Sequence, residues 1–160
     1  MRNWRRAALI AGAALLLPAG AGADVTAFLG ASPTGGTRAA RGLAAGAGIV
    51  VVGFELEVAS LTEDAAAAAP GLTTGMANVM LQTPVEVSRV QAYGTTGLGL
   101  YRERAGDDTE TSLAANLGGG VKIRLAGPLK LRLDYRLFRL RGEPRLDVVH
   151  RFYAGATIGF

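Results

Sequence analysis

The stretch LKLRLDYRLFRL, residues 129–140, constrains this chain more than any other part of it. Leu129, Leu131, Leu133, Tyr135 and Leu137 fall on one parity, and Lys130, Arg132, Asp134 and Arg136 fall on the other. Strict alternation of this length predicts a strand with one apolar and one charged face. Wound as a helix, the same residues would scatter their charges all round and leave no apolar stripe.

The rhythm recurs along the chain. In residues 53–60, Phe54, Leu56 and Val58 oppose Glu55 and Glu57. In 88–101, Val90, Leu98 and Leu100 oppose Gln91, Tyr93 and Thr95, and in 111–125 Leu117, Val121, Ile123 and Leu125 oppose Asn116, Lys122 and Arg124. The closing segment sets Phe152, Ala154, Ala156, Ile158 and Phe160 against Tyr153, Gly155, Thr157 and Gly159. Three Gly/Ala-rich segments, 25–31, 43–52 and 72–83, complete a set of eight expected strands. Long links are expected at 32–42, 61–71, 102–110 and 139–149, and short ones near Val52-Gly53, at Pro84–Val87 and at Ala126–Pro128. The alanine run Ala65–Ala69, between Asp64 and Pro70, reads as low-complexity filler in one of the long links.

The first residues follow another logic. Arg2, Arg5 and Arg6 precede the apolar run Ala7–Leu17, Pro18 ends it, and Ala21-Gly22-Ala23 supplies a small-residue site before Asp24. That order of features predicts a cleavable signal peptide over residues 1–23 and a barrel domain over 24–160. The run is shorter than the ~20 residues that cross a bilayer as a helix.

Of the 17 basic residues, three belong to this leader, so the exported chain carries 14 against 13 acidic ones, a net of +1 in place of +4. No basic block is interleaved with aromatics, which sets nucleic acid aside as a partner. There is no cysteine and a single histidine, His150, so neither a disulfide frame nor a soft-metal site is expected, and no cofactor.

An even number of alternating strands joined by alternately long and short links predicts an all-β fold. Its form is an eight-stranded antiparallel up-and-down transmembrane β-barrel. A soluble exported ligand-binding barrel would show the same alternation turned inside out. Three features favour the membrane form. The apolar faces are Leu, Ile and Val with few large aromatics, the opposite faces carry both charge signs among small residues such as Gly118 and Gly120, and the chain closes on Phe160. Eight strands leave an interior just wide enough for side chains to fill.

Gly155-x-x-Ile158-x-Phe160 resembles the C-terminal targeting signal of bacterial outer-membrane β-barrels, with one departure, Ala154 where a polar residue usually precedes the glycine. The whole segment 24–160 resembles the small eight-stranded members of that group, the opacity-like proteins and the transmembrane domain of outer-membrane protein A. NLGGGVKIRL and LRLDYRLFRL are similar to a hairpin of theirs. The resemblance implies an outer-membrane location, contact with membrane lipid and lipopolysaccharide, and recognition of Gly155, Ile158 and Phe160 by the barrel-assembly machinery.

With the N-terminus on the periplasmic side, Glu55 and Glu57 start low in the barrel, as do Lys122, Arg124, Lys130 and Arg132, and Asp134 and Arg136 continue upward. Lysine or arginine facing lipid at midplane would cost about 2–4 kcal/mol, so these groups are expected to form a lumen ion-pair network. Breaking one partner of a buried pair costs about 3–5 kcal/mol, which favours a fixed plug over a gate. A rim enzyme is the weakest reading. In barrel deacylases a serine follows the histidine by two residues, whereas Phe152 stands there after His150, and Ser112 lies on a strand not adjacent to it. Glu103, Asp107, Asp108 and Glu110 lack the ligand spacing of a calcium loop and read as solvated. The expected function is therefore a non-enzymatic structural or surface-interaction barrel. A narrow ion or small-solute channel is the alternative.

Overall fold

The computed structural model describes residues 22–84 and 86–160, so the expected leader lies outside the described residues except for Gly22 and Ala23. Eight strands follow one another: β1 Gly22–Ser32, β2 Arg38–Ile49, β3 Val52–Leu61, β4 Gly71–Gln82, β5 Val90–Ala105, β6 Asp108–Ala126, β7 Leu129–Leu140 and β8 Val148–Gly159. Each pairs antiparallel with its neighbours in sequence, and β1 pairs with β8 to close the barrel. Closure gives every strand a hydrogen-bonded neighbour on both sides.

Closure starts ahead of the expected domain boundary. Gly22 and Ala23 already pair with Gly48 and Ala47 of β2. At the seam, Phe160 N–H donates to the Ala23 carbonyl at 2.8 Å, and Gly159 N–H donates to Pro128 at 3.0 Å. The backbone of the last residue is held while its ring stays outside, 80% exposed.

Two connections differ from expectation. The long link foreseen at 102–110 is instead a hairpin: β5 and β6 pair up to Ala105 and Asp108, and Gly106 turns the chain at φ 61°. Charges on both faces of Arg102–Arg104 look like a loop by composition, yet Glu103 is buried on the inner face while Arg102 and Arg104 stay outside. The tight turn foreseen at Pro84–Val87 runs over residues 83–89, with Ser88 and Arg89 at positive φ under a Val87–Val90 bridge. The alanine run has its own geometry. Asp64 Oδ1 accepts the N–H groups of Ala66 and Ala67 at 3.1 and 3.2 Å, and Asp64 bridges Ala69. It is a side-chain-capped turn rather than filler.

The faces are inverted relative to a soluble barrel. Leu29, Leu56, Leu98, Leu113 and Leu117 are exposed on the outside, whereas Arg132, Arg136 and Arg151 are fully buried within. The outward arginines of the strands, Arg41, Arg102, Arg104 and Arg139, sit near strand ends that lead into the 33–37, 106–107 and 141–147 connections. Below them the outer wall is apolar.

Candidate functional site

The lumen is stratified. At the end holding Gly22 and Phe160 it opens as a cavity of about 770 Å³. Inward glycines, Gly46, Gly48 and Gly53, leave the room, and Asp24 bonds Lys122 Nζ across it at 2.6 Å. At its mouth Arg124 Nη2 lies 2.6 Å and Lys130 Nζ 3.7 Å from Glu86 Oε1. The Arg124 guanidinium, hydrogen-bonded to Glu86, holds that carboxyl below its ordinary value.

Above the cavity lies a dry charged layer. Three carboxylates, Glu55, Glu57 and Asp134, face three guanidinium groups, Arg132, Arg136 and Arg151, every side chain 0–1% exposed. Glu55 of β3 reaches across to β7, accepting from Arg132 Nη1 and from Arg136 Nη2 at 2.7 Å. Asp134 lies between its strand neighbours, 2.8 Å from Arg132 Nη2 and 3.3 Å from Arg136 Nε. Glu57 accepts from Arg151 Nη2 and from the Tyr153 hydroxyl at 3.1 Å, and Arg136 Nη1 lies 3.0 Å from it without hydrogen-bond alignment.

Neutral groups complete the layer. The Tyr93 hydroxyl donates to Asp134 and accepts from Arg132 Nε at 2.7 Å. Asn78 Nδ2 donates to Glu55 at 3.3 Å, and Asn116 Nδ2 donates to Asn78 at 2.8 Å. Taking these ions out of water is costly, and paired charges with satisfied lone pairs are what offsets it. β6 makes room: a Cβ on Gly120 would stand 2.7 Å from the Tyr93 hydroxyl and 2.1 Å from the Leu133 carbonyl.

Towards the loops the inner face turns apolar. Leu61, Leu72, Met76, Tyr101, Phe138 and Val149 pack into one buried cluster, and the Arg151 guanidinium carbon lies 4.2 Å from the Phe138 ring centre, joining the two layers. The loops close over it. The Tyr101 hydroxyl donates to the Arg141 carbonyl at 2.6 Å, Glu110 accepts Glu143 N–H at 2.6 Å, and Glu103 accepts Arg145 N–H at 3.1 Å. Arg38 ties the 33–37 and 62–70 connections, donating to the carbonyls of Thr34 at 3.2 Å and Pro70 at 2.5 Å.

No family model matches the chain, and no curated protein does. Among solved structures, Neisserial surface protein A superposes with a TM-score of 0.70 at 18% identity, over 89% of this chain and 98% of that one. The N-terminal β-barrel domain of Pseudomonas aeruginosa OprF gives 0.65 at 14% identity, covering 87% and 97%. The outer membrane enzyme PagL gives 0.55 at 12% identity, covering 84% and 98%. This chain has the fold of a small outer-membrane β-barrel. At these identities the likeness is one of architecture, and it extends to an outer membrane enzyme.

Of the residues singled out by sequence, the barrel brings Glu55, Glu57, Arg132, Asp134 and Arg136 together. Arg124 and Lys130 stand apart at the mouth with Glu86, and Lys122 pairs with Asp24 rather than with either β3 glutamate. The reason is position along the strand: Arg124 and Lys130 pair with each other beside the β6–β7 turn, below the charged layer. Gly155 faces inward beneath Phe28, while Ile158 and Phe160 face outward. His150 lies on the outer wall with Nδ1 2.9 Å from the Tyr135 hydroxyl. Ser112 is on the inward parity of β6, with β7 between the two strands. Arg151, Tyr153 and the apolar cluster escaped the sequence reading. Their signal was there: Phe138 and Leu140 fall on the charged parity of β7, and Arg139 on the apolar one.

Proposed function

We propose that this chain is a non-enzymatic barrel of the bacterial outer membrane, exported by a leader over residues 1–23, with a closed lumen and its loop end facing outward. The role it fits is structural or one of surface interaction. The observation that carries this reading is the pair of seals in series. Three balanced ion pairs' worth of buried charge fills the middle, and the apolar cluster under hydrogen-bonded loops fills the outer third. The terminal-end cavity leads only as far as the charged layer, which is why the narrow-channel reading ranks second. Membrane placement is supported by the exposed leucines of the outer wall, a surface that soluble monomers rarely present to water. Gly155, Ile158 and Phe160 form the assembly signal in this reading, with the two outward apolar residues on the face open to a partner at the seam.

An enzymatic role would need a nucleophile beside His150. Among the described residues its ring touches Tyr135, and the residue two positions on is Phe152. The mature protein, without the leader, refolded into planar bilayers tests the lumen: silence is expected, and steady unitary currents would establish the channel. Heat-dependent gel migration of envelope fractions tests placement, since a closed membrane barrel resists detergent until boiled.

A further inference from the structure

The wall of the barrel includes two residues that the sequence pattern assigns to the leader. On one side of β1, Gly22 pairs with Gly48 and Ala23 with Ala47. On the other side Ala23 and Phe160 exchange both backbone bonds: Phe160 N–H donates to the Ala23 carbonyl at 2.8 Å, and Ala23 N–H donates to the Phe160 carbonyl at 3.4 Å. A chain cut after Ala23 would lack all of these partners. The Phe160 N–H and carbonyl would be stripped of protein partners at the seam where β1 meets β8, and the β2 wall would lose its neighbour beyond Gly46.

Charge is the second observation. Asp24 Oδ2 lies 2.6 Å from Lys122 Nζ in the cavity that Glu86, Arg124 and Lys130 also line. A cut after Ala23 makes Asp24 the first residue and sets its α-ammonium beside that pair. The cavity would then hold a fourth cation against two carboxylates, Asp24 and Glu86. Like charges this close oppose one another. A cut two residues earlier carries the ammonium about 7 Å along the strand, to Gly22, which is exposed and wet.

The sequence holds a site for the earlier cut. Directly after Pro18, Ala19-Gly20-Ala21 repeats the small-residue spacing of Ala21-Gly22-Ala23. We propose that the leader is removed after Ala21 and that the exported chain starts at Gly22, so that the Gly22–Ala23 pair stays to latch Phe160. The proposal rests on the export reading above and shortens its leader by two residues. The reaction is hydrolysis of the Ala21–Gly22 peptide bond. The C–N bond breaks, the oxygen of water goes to the Ala21 carboxylate, and both its protons go to the Gly22 nitrogen, which becomes the α-ammonium.

The two cuts can be separated by substitution, because Ala19 serves only the earlier site, Ala23 only the later one, and Ala21 both. The full precursor is expressed in a Gram-negative host, and the N-terminal sequence and intact mass of the envelope protein are read. The parent is expected to begin Gly22-Ala23-Asp24. Ala23→Leu should be processed at the same bond. Ala19→Gln, which lies outside the exported chain, should lose the Gly22 form and leave precursor or a chain starting at Asp24. A parent that starts at Asp24, alone or in equal amount, would overturn the proposal and leave export intact. So would a Gly22 start that survives Ala19→Gln, or precursor accumulating with Ala23→Leu. A parent left whole in the envelope would overturn the export reading as well. The latch has its own readout, in chains released from a fusion to begin at Gly22 or at Asp24 and refolded in micelles. The Gly22 form is expected to hold its unboiled gel position to a higher temperature, and equal temperatures would overturn the role given to the pair at the seam.

Discussion

Glu55 on β3 and Arg132 on β7, 77 residues apart, form an ion pair through the middle of the lumen between strands that share no backbone hydrogen bond. Arg136 shares the same carboxylate at 2.7 Å. Two guanidinium groups thus lean on one anion. Glu55→Gln keeps the shape and removes the charge, leaving both cations under-compensated in a dry layer. A loss of about 3–5 kcal/mol is expected, read as a lower urea midpoint for barrels in lipid vesicles. Restoring balance with Glu55→Gln/Arg132→Met should recover part of it. A single variant as stable as the parent would show that the layer does not hold the barrel together.

Conductance follows a different logic because the seals are in series. Glu55→Gln loosens the charged layer and leaves Leu61, Leu72, Met76 and Phe138 packed above it. Planar-bilayer recordings are therefore expected to stay silent for the parent, for Glu55→Gln and for Phe138→Ala, and to show current for Glu55→Gln/Phe138→Ala. Current from Glu55→Gln alone would mean that the apolar layer is no barrier.

Phe138 also bears on stability. Its ring is 1% exposed and supports the Arg151 guanidinium at 4.2 Å. Phe138→Ala removes core volume and a cation–π face together, an expected loss of about 3–5 kcal/mol. Phe138→Leu keeps most of the volume and should fall well short of that loss in the same urea series.

Gly120 is a steric requirement. Any Cβ there meets the Leu133 carbonyl at 2.1 Å and Asp134 Cα at 3.0 Å, both backbone atoms of the adjoining strand. Gly120→Ala is expected to prevent β6 from seating against β7, so that the refolded protein shows one gel position with or without boiling. A normal heat shift for this variant would disprove the close approach.

Strand number, parity and closure were legible because alternation survives wherever one face meets lipid and the other a crowded lumen. The β5–β6 ribbon was not, since Arg102, Glu103 and Arg104 carry charge on both faces and lose the signal on which a strand is read. The charged layer was legible as a set of parities on β3 and β7, but not its height. Arg124 and Arg132 share a face and differ only in distance from a turn, and that distance puts one at the mouth and the other in the dry centre. Arg151 was missed because β8 is otherwise uncharged along its inner face, and its partner Glu57 lies 94 residues away.

At the mouth, the Glu86–Arg124 contact can be followed by titration. The Glu86 carboxyl is depressed, first by its hydrogen bond from Arg124 and then by the positive charges of Arg124 and Lys130. A carboxyl depressed on folding contributes stability that is fully present above the unfolded value of about 4.3 and is lost as pH falls through the folded value. Solvent screening keeps that contribution small, so the site's own midpoint is the sensitive measure. Carbon-detected NMR of the Glu86 carboxyl in micelles should give a midpoint below about 4.3. Arg124→Gln should move the midpoint up towards that value without restoring it, because Lys130 stays 3.7 Å away. A midpoint that does not respond to Arg124→Gln would show that the contact at the mouth does not persist in solution.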